Sequence, residues 1–395
     1  MGSDRRIFEH PRVEPRHWSN AQLDALRQVT DEPADALIAE YFAAETAHPH
    51  ALLMDIMAHR THRRGGAPDL AARSPVPQRL LDELERRCPL PTVDPEMVRH
   101  GEALFQDHGP AMLLGLACFS LPMAYSAANG ARVLHETGYL EHRVARRLIE
   151  TTQMVVDVMQ PRGLGPGGAG LRSAHEIRLV HAAVRHLIER GDVDWDPAWG
   201  RPINQEDMAG TLMTFSYVIL DGLSKIGFEV PRHAQEAYLG AWRSVGQAMG
   251  LKPELLPEDM EQAQELTWFI FDRQTAGSEA GKRLTSALLQ TMRAEAPLIA
   301  RPFCSSLVRV YVEPQVAEVL EVPRKRLLDA LTLVVQKLYG RIHSRLHRFA
   351  LGRWLQRLVS RVVIDTLTRI GRGDRRAAEF DIPDSLHVHW GTKRR

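Results

Sequence analysis

Two neighbouring segments of this chain carry residue types that could build a cofactor site. The first is a predicted helix over residues 140–159, in which four residues recur at spacings of three and four and therefore share one face: Arg147, Glu150, Thr151 and Met154. The second is a predicted helix over residues 171–188, which holds His181 within the apolar sequence LVHAAV. A polar face opposite a single histidine predicts a cofactor slot rather than packing alone.

His181 can be interpreted in two ways from its sequence context. A lone histidine in a helix is usually a satisfied core residue. A neutral imidazole in an apolar pocket also suits haem iron, which needs only one protein ligand. Arg178 and Arg185 lie three residues before and four after His181, so either could pair with a haem propionate. The residues alone leave both interpretations open.

The elements that position these residues are predicted to be helices. Apolar residues recur at helical spacing along most of the chain, and no segment shows sustained period-two alternation. We therefore expect an all-α fold whose core spans residues 96–300. Residues 1–95 are predicted to form an N-terminal arm with flanking helices. Residues 301–395 are predicted to form C-terminal helices packed on the core, giving one compact unit.

Some of the predicted helix boundaries rest on single residues. Asp94 followed by Pro95 is a good helix start. Residues 203–226 are predicted to form one long helix that begins at Asn204 or Gln205, with two acidic residues, Glu206 and Asp207, at its positive end. Residues 324–370 are predicted to be helical with a break at Gly340.

Composition excludes several classes of function. The 395 residues include 50 Lys and Arg against 49 Asp and Glu, so the net charge of +1 provides no global field for nucleic acid. Aromatic residues make up only 6% of the chain, which argues against a stacking surface for single strands. Three widely spaced cysteines indicate a reducing compartment. The N-terminal sequence has no apolar signal segment, so we expect a cytoplasmic location.

Two motifs invite functional interpretations that the context does not support. Gly163, Gly165 and Gly168 satisfy GxGxxG, but a helix rather than a strand precedes them, which favours a simple loop. His343 and His347 have the spacing of a helical metal pair, yet their basic surroundings disfavour a dication.

Residues 341–370 are rich in arginine and carry leucine, tryptophan and valine at helical spacing. Most such helices pack on a core and leave a basic face in water. Peripheral contact with an anionic membrane is the alternative that the sequence keeps open.

Three sequence blocks resemble a known family. RRLIETTQMVVDVM, GLRSAHEIRLVHAAVR and PINQEDMAGTLMTFSYVILDGL are similar to blocks of the latex clearing protein (rubber oxygenase) and mpaB-like oxygenase family. The resemblance is strongest over residues 119–250. It implies a globin-like helical core that binds haem b, with His181 as the iron ligand and with Arg147 and Thr151 near the haem.

The resemblance also implies an oxygenase that uses O2 and a hydrophobic unsaturated substrate, isoprenoid-like or lipid-like, with oxidative C=C cleavage as the typical outcome. The chain departs from the pattern at Glu150, where rubber-cleaving members often have lysine. A carboxylate there could act as a base or hold a water molecule, so we include Glu150 with Arg147 and Thr151 as candidate catalytic residues. Because no export signal is visible, an extracellular polymer is not the expected substrate. A haem-based gas or redox sensor and a cofactor-free helical protein that docks on membranes are the alternatives.

Overall fold

The computed structural model describes residues 16–44, 76–88, 91, 94–136, 144–192 and 194–373. The helices of these ranges are α1 (Asn20–Leu26), α2 (Glu32–Ala44), α3 (Val76–Arg87), α4 (Pro95–Gly115), α5 (Leu121–Ser126), α6 (Ala128–Glu136), α7 (Val144–Met159), α8 (Ala169–Leu187), α9 (Gln205–Phe215), α10 (Tyr217–Lys225), α11 (Arg232–Ala248), α12 (Met260–Gln274), α13 (Glu279–Glu295), α14 (Cys304–Tyr311), α15 (Pro314–Val319), α16 (Arg326–His347) and α17 (Ala350–Gly373). Within these ranges no strand forms, and one isolated bridge pairs Ala127 with Thr275. The all-α prediction is confirmed.

Side-chain caps explain why two of the central helices begin where they do. The Asp94 carboxylate accepts a hydrogen bond from the backbone N–H of Glu96 at 2.9 Å, and Pro95 occupies the first turn of α4. The Asn204 side chain accepts a hydrogen bond from the backbone N–H of Asp207 at 3.0 Å and so caps α9. Both predicted helix starts are confirmed.

The core forms where α4 and α11 pack against each other, with α9, α10 and α12 around them. Glycine permits the close approach of the first pair, because a Cβ atom at Gly101 would lie 3.0 Å from the carbonyl oxygen of Ala237. Trp242 of α11 is 1% exposed, so α11 contributes its largest side chain to this core.

A π-helical turn, Leu116–Ser120, joins α4 to α5. The backbone N–H of Leu121 donates to the carbonyl oxygen of Leu116, five residues earlier, which places one extra residue in this turn. The combined helical run Pro95–Ser126 is long and apolar enough to cross a membrane, but 78% of its apolar window is buried inside the protein. The core helix of a globular protein has the same properties.

Two sequence-based helix predictions are corrected by backbone contacts. Residues 203–226 form two helices rather than one, because Ser216 leaves helical geometry with φ −105° and ψ −87°. Gly340 does not break a helix but lies within α16. A Cβ atom at Gly340 would lie 2.2 Å from the carbonyl oxygen of Ile226, so this glycine serves a close helix contact. The break falls between His347 and Ala350 instead.

Three histidines lie where the C-terminal helices α16 and α17 cover α4. The ring of His108 lies 5.0 Å from the rings of both His343 and His347, measured between centroids. Beside them the Arg357 guanidinium of α17 pairs with both carboxylate oxygens of Asp107 on α4. Burial, followed by the neighbouring histidines, lowers the pKa of His108 to about 3, and burial likewise lowers that of His343 to about 4.

These lowered pKa values predict that the protein loses stability in mild acid. Below pH 6.5 the unfolded chain binds protons that the folded protein excludes, so stability present above pH 6.5 falls as the pH approaches the folded pKa values. For His108 alone the loss by pH 4.5 is about 2–3 kcal/mol. Urea denaturation between pH 7 and 4.5 measures it. We expect His108→Gln to flatten the pH dependence, and an unchanged slope would contradict this role.

Candidate active site

A turn built from glycine brings α7 and α8 together. The carbonyl oxygen of Gly163 accepts hydrogen bonds from the backbone N–H groups of Gly170 at 2.9 Å and Leu171 at 3.0 Å, at the start of α8. A Cβ atom at Gly170 would lie 2.6 Å from the Cα atom of Val158. Within the GxGxxG pattern, a Cβ atom at Gly163 would lie 2.2 Å from the carbonyl oxygen of Asp157, and one at Gly168 would lie 2.3 Å from that of Gly163. These glycines therefore serve a tight turn between two helices, which agrees with the interpretation of the pattern as a loop.

The same turn is anchored to the core by a buried carboxylate. The backbone N–H of Arg162 donates to Glu102 of α4 at 3.0 Å, and Arg162 has a positive φ of 63°. Burial raises the pKa of Glu102, and the backbone donors oppose the rise. Through this contact α4 fixes the position of the α7–α8 pair.

The facing sides of α7 and α8 form part of a cavity of about 350 Å³. Glu150, Thr151 and Met154 of α7 line it, and from α8 so do four residues spaced three, one and three apart: Ile177, Val180, His181 and Val184. Most of the remaining wall is apolar and comes from α5, α9, α11 and α12, including Leu121, Tyr125, Leu212, Phe215, Trp242, Val245, Ile270 and Phe271. The structure thus brings Glu150, Thr151 and His181 to one apolar cavity.

Arg147 belongs to α7, but its side chain lies outside the described part of the chain. Its proposed role beside Thr151 stays a prediction from the family resemblance.

Arg178 and Arg185 lie away from the cavity, contrary to their expected position beside a cofactor. Arg178 donates from Nε to Asp31 at 2.5 Å and from Nη2 to the same carboxylate at 2.7 Å. Arg185 donates to Asp35 at 2.7 Å and to the carbonyl oxygen of Ile203 at 3.1 Å. The two arginines are seven residues apart and so share a face of α8 that meets the N-terminal segment. We therefore replace their assignment as propionate partners with a structural role.

Asp207 lies on the cavity wall, whereas the sequence analysis interpreted it only as an acidic residue at the N-terminus of a helix. It accepts hydrogen bonds from Arg27 at 3.0 Å and from the Asn204 amide at 2.8 Å. Burial raises its pKa to about 6, helped by the neighbouring Glu206 and opposed by Arg27. The sequence did contain a signal for this role, because Asp207 and Thr211 are four residues apart and so share one face of α9. Both residues line the cavity.

Behind this wall, Glu206 is fully buried and joins three segments. It accepts from Arg27 of the N-terminal segment at 3.1 Å, from Arg273 of α12 at 3.0 Å and from Gln274 at 3.1 Å. Gln274 itself lines the cavity. The polar side of the cavity is therefore held by charge-assisted hydrogen bonds.

The cavity wall offers few side chains that could bind a metal ion, which suits a cofactor whose own atoms supply most of the metal's ligands. His181 is the only imidazole among the described residues of the cavity wall. Over the described ranges, no group of three or more His, Cys, Asp and Glu is placed to hold a metal ion. Four small residues at the wall leave room for a flat group: Ala124, Ala127, Gly130 and Gly210.

Comparison with known proteins agrees with the all-α fold and shows the family of this chain. Residues 104–372, more than half of the chain, match the family described as "ER-bound oxygenase mpaB/B'/Rubber oxygenase, catalytic domain". The chain belongs to this family.

A curated relative and a solved structure are similar to this chain. The rubber oxygenase of Streptomyces sp. (strain K30) is 24% identical over 192 residues, which cover 47% of this chain and 46% of that protein. The match thus spans about half the length of each. The structure of latex clearing protein LCP in the closed state superposes with a TM-score of 0.66 and 21% identity, covering 86% of this chain and 90% of that one. At that identity the likeness shows the fold.

Proposed function

We propose that this protein is a haem b-dependent oxygenase that delivers oxygen from O2 to a hydrophobic unsaturated substrate. The observation that carries the proposal is the placement of His181 in an apolar cavity that also contains Glu150 and Thr151. Membership of a family of oxygenase catalytic domains supports the reaction class. The name of the relative, rubber oxygenase, supports an isoprenoid-like substrate, and we propose oxidative cleavage of its C=C bond as the outcome.

The cavity residues fit the proposed cofactor. His181 would hold the iron, because its half-buried imidazole lies on the cavity wall and imidazole is a common haem-iron ligand. The small wall residues give space for the macrocycle. Haem, when bound, would supply the activation of O2.

The protein side chains would orient the substrate and move protons. The apolar walls from α5, α9 and α12 would exclude water and align an unsaturated chain. The Thr151 hydroxyl would donate a hydrogen bond where negative charge develops on oxygen. Glu150 would accept a proton from an allylic carbon of the substrate or position a water molecule. At this position the family resemblance leads us to expect lysine, so the carboxylate is a feature of this chain.

Spectroscopy combined with O2 uptake tests the proposal. We expect the purified full chain to show a Soret band that shifts with CO on reduction, and to consume O2 when supplied with an isoprenoid or unsaturated lipid. A colourless protein after expression with ample haem would contradict the cofactor. Stoichiometric haem without substrate-dependent O2 uptake would contradict the oxygenase and favour a haem-based sensor.

The Glu150→Gln variant tests the proton-transfer role. We expect it to retain haem and to lower kcat by about 10²–10⁴-fold, because an amide cannot accept the proton. O2 uptake at saturating substrate measures the effect. Glu189→Gln is the control, since Glu189 is exposed and pairs with Arg201 at 2.8 Å outside the cavity. Equal rates in both variants would remove Glu150 from the mechanism.

A further inference from the structure

The C-terminal helices α16 and α17 present apolar side chains to the outside of the protein. On α16 these side chains recur every three or four residues, as in Leu327, Leu331, Val334 and Leu338. On α17 they include Leu351, Trp354 and Leu358. Leu327 is 87% exposed and Trp354 is 59% exposed, so these residues are not part of the core. We refer to the exposed apolar side of residues 326–364 as the hairpin face.

Packing on the other side of each helix fixes this orientation. Gly340 of α16 lies against the backbone of Ile226, where a Cβ atom would approach its oxygen to 2.2 Å. The hydroxyl of Ser360 of α17 lies 2.9 Å from where a Cβ atom of Gly109 on α4 would stand. Neither helix can rotate its apolar stripe inward without losing these close contacts. The hairpin face is therefore exposed because of how the fold is packed.

The hairpin face is strongly basic. Residues 326–364 contain eight arginine and lysine residues and a single acidic residue, Asp329. Two of the eight pair with carboxylates outside these helices, Arg348 with Glu229 and Arg357 with Asp107, so the charge of the face rests on the others. Asp329 is already paired with Arg309 at 3.6 Å and accepts the backbone N–H of Lys325 at 3.1 Å. The exposed cations include Lys337, Arg341 and Arg345. Apolar stripes bordered by arginines, with an exposed tryptophan, match helices that lie in the interface of an anionic bilayer.

We infer that the hairpin face docks the protein on the surface of an anionic lipid membrane. A second copy of the chain is a poorer occupant, because twofold packing of this face on itself would bring two arginine-rich surfaces together. An anionic lipid surface offers a partner for both kinds of side chain, namely hydrocarbon for the leucines and phosphate or carboxylate for the arginines.

Helix α17 lies between the hairpin face and a helix of the cavity wall. α17 packs against both α4 and α7, and α7 carries Glu150 and Thr151 on the cavity wall. A hydrophobic substrate dissolved in the bilayer would then have only this layer of helices to cross. This consequence rests on the proposed function, whereas docking itself depends on the outer surface alone.

Co-sedimentation with vesicles tests the inference on the full chain. We expect binding to vesicles of phosphatidylcholine mixed with phosphatidylserine, much weaker binding to phosphatidylcholine alone, and release by salt. The double variant Arg341→Glu/Arg345→Glu should lower the partition coefficient about tenfold or more. Leu338→Asp/Trp354→Asp should abolish binding to both vesicle types. Arg190→Glu, an exposed charge reversal outside the hairpin, should bind as the unchanged protein does.

Other outcomes would overturn the inference and leave the proposed function standing. Absence of vesicle binding, or equal loss in the Arg190→Glu control, would do so. A dimer in light scattering that Leu338→Asp converts to a monomer would show that a second copy covers the face. Binding only after deletion of residues 374–395 would show that the chain's own C-terminal segment covers it.

Discussion

Replacement of His181 by alanine is expected to abolish haem binding. In the proposed site the haem iron would lose its only coordinate bond to the chain, and the described residues of the cavity wall offer no other imidazole. The loss is measured as the ratio of Soret absorbance to protein absorbance after purification. We expect this ratio to fall at least about tenfold, because second-shell changes alone already cost 10–100-fold in metal affinity.

His175 supplies a matched control on the same helix. Its side chain is also buried, but it lies 3.3 Å from Glu85 and does not line the cavity. His175→Gln should therefore retain haem. Added imidazole should restore the Soret band of His181→Ala by binding in place of the missing side chain, which separates lost ligation from lost folding. Full haem content in His181→Ala would overturn the assignment.

Removal of the Asp31 carboxylate is expected to destabilise the whole protein. Asp31 is 2% exposed and Arg178 is 5% exposed, so Asp31→Ala leaves a buried guanidinium without its charge partner. Breaking a buried ion pair in this way costs about 3–5 kcal/mol. Urea denaturation followed by circular dichroism measures the loss. Because Arg178 lies outside the cavity, the haem content of the folded fraction should not change.

An exposed ion pair provides the comparison. Arg201 and Glu189 are paired at 2.8 Å, with side chains 40% and 36% exposed, so Arg201→Ala should cost only about 0–1 kcal/mol. The double variant Asp31→Ala/Arg178→Met should recover part of the stability lost in Asp31→Ala, because it removes the unpaired charge. Equal losses for the buried and exposed pairs would contradict the structural role given to Arg178. A loss of haem on replacing Arg178 would restore its assignment as a propionate partner.

The sequence predicted the all-α class and singled out Glu150, Thr151 and His181, because both depend on local spacing, whereas the roles of these three residues stay predictions. Glu150 and Thr151 share a helical face, and His181 falls within an apolar stretch, so their common cavity follows from two amphipathic helices joined by a short turn. Arg178 and Arg185 were misplaced because their partners, Asp31 and Asp35, are 147 and 150 residues away in the chain. Local spacing holds no information about such pairs.

Two other differences between the prediction and the structure, at Gly340 and at Asp207, have separate causes. Glycine near the middle of a predicted helix indicates a break, yet Gly340 is required by the neighbouring backbone of Ile226, which only the folded chain reveals. The contribution of Asp207 to the cavity was missed because an acidic residue in a first turn is already explained by the helix dipole. The division of the chain into three segments and the globin-like character of the core stay predictions.

Residues 16–44 bond to the family's catalytic domain although the family match begins at residue 104. Arg27, Asp31 and Asp35 all bond to residues within the matched region. A fragment restricted to residues 104–372 would leave Arg178 and Glu206 buried without these partners. We therefore expect such a fragment to be insoluble, and expression trials of the fragment and the full chain compare the two directly.

The π-helical turn Leu116–Ser120 makes the cavity sensitive to where the chain changes its length. Successive residues of a helix point about 100° apart, so one residue removed within the regular part of α5 would rotate the residues after it by about that angle. Tyr125 would then leave the cavity wall. In the π turn the extra residue is taken up by the wider turn, so its removal would leave an α-helical turn and keep the register of α5 against α4. A single-residue deletion should therefore be tolerated better within Leu116–Ser120 than within α4 or α5.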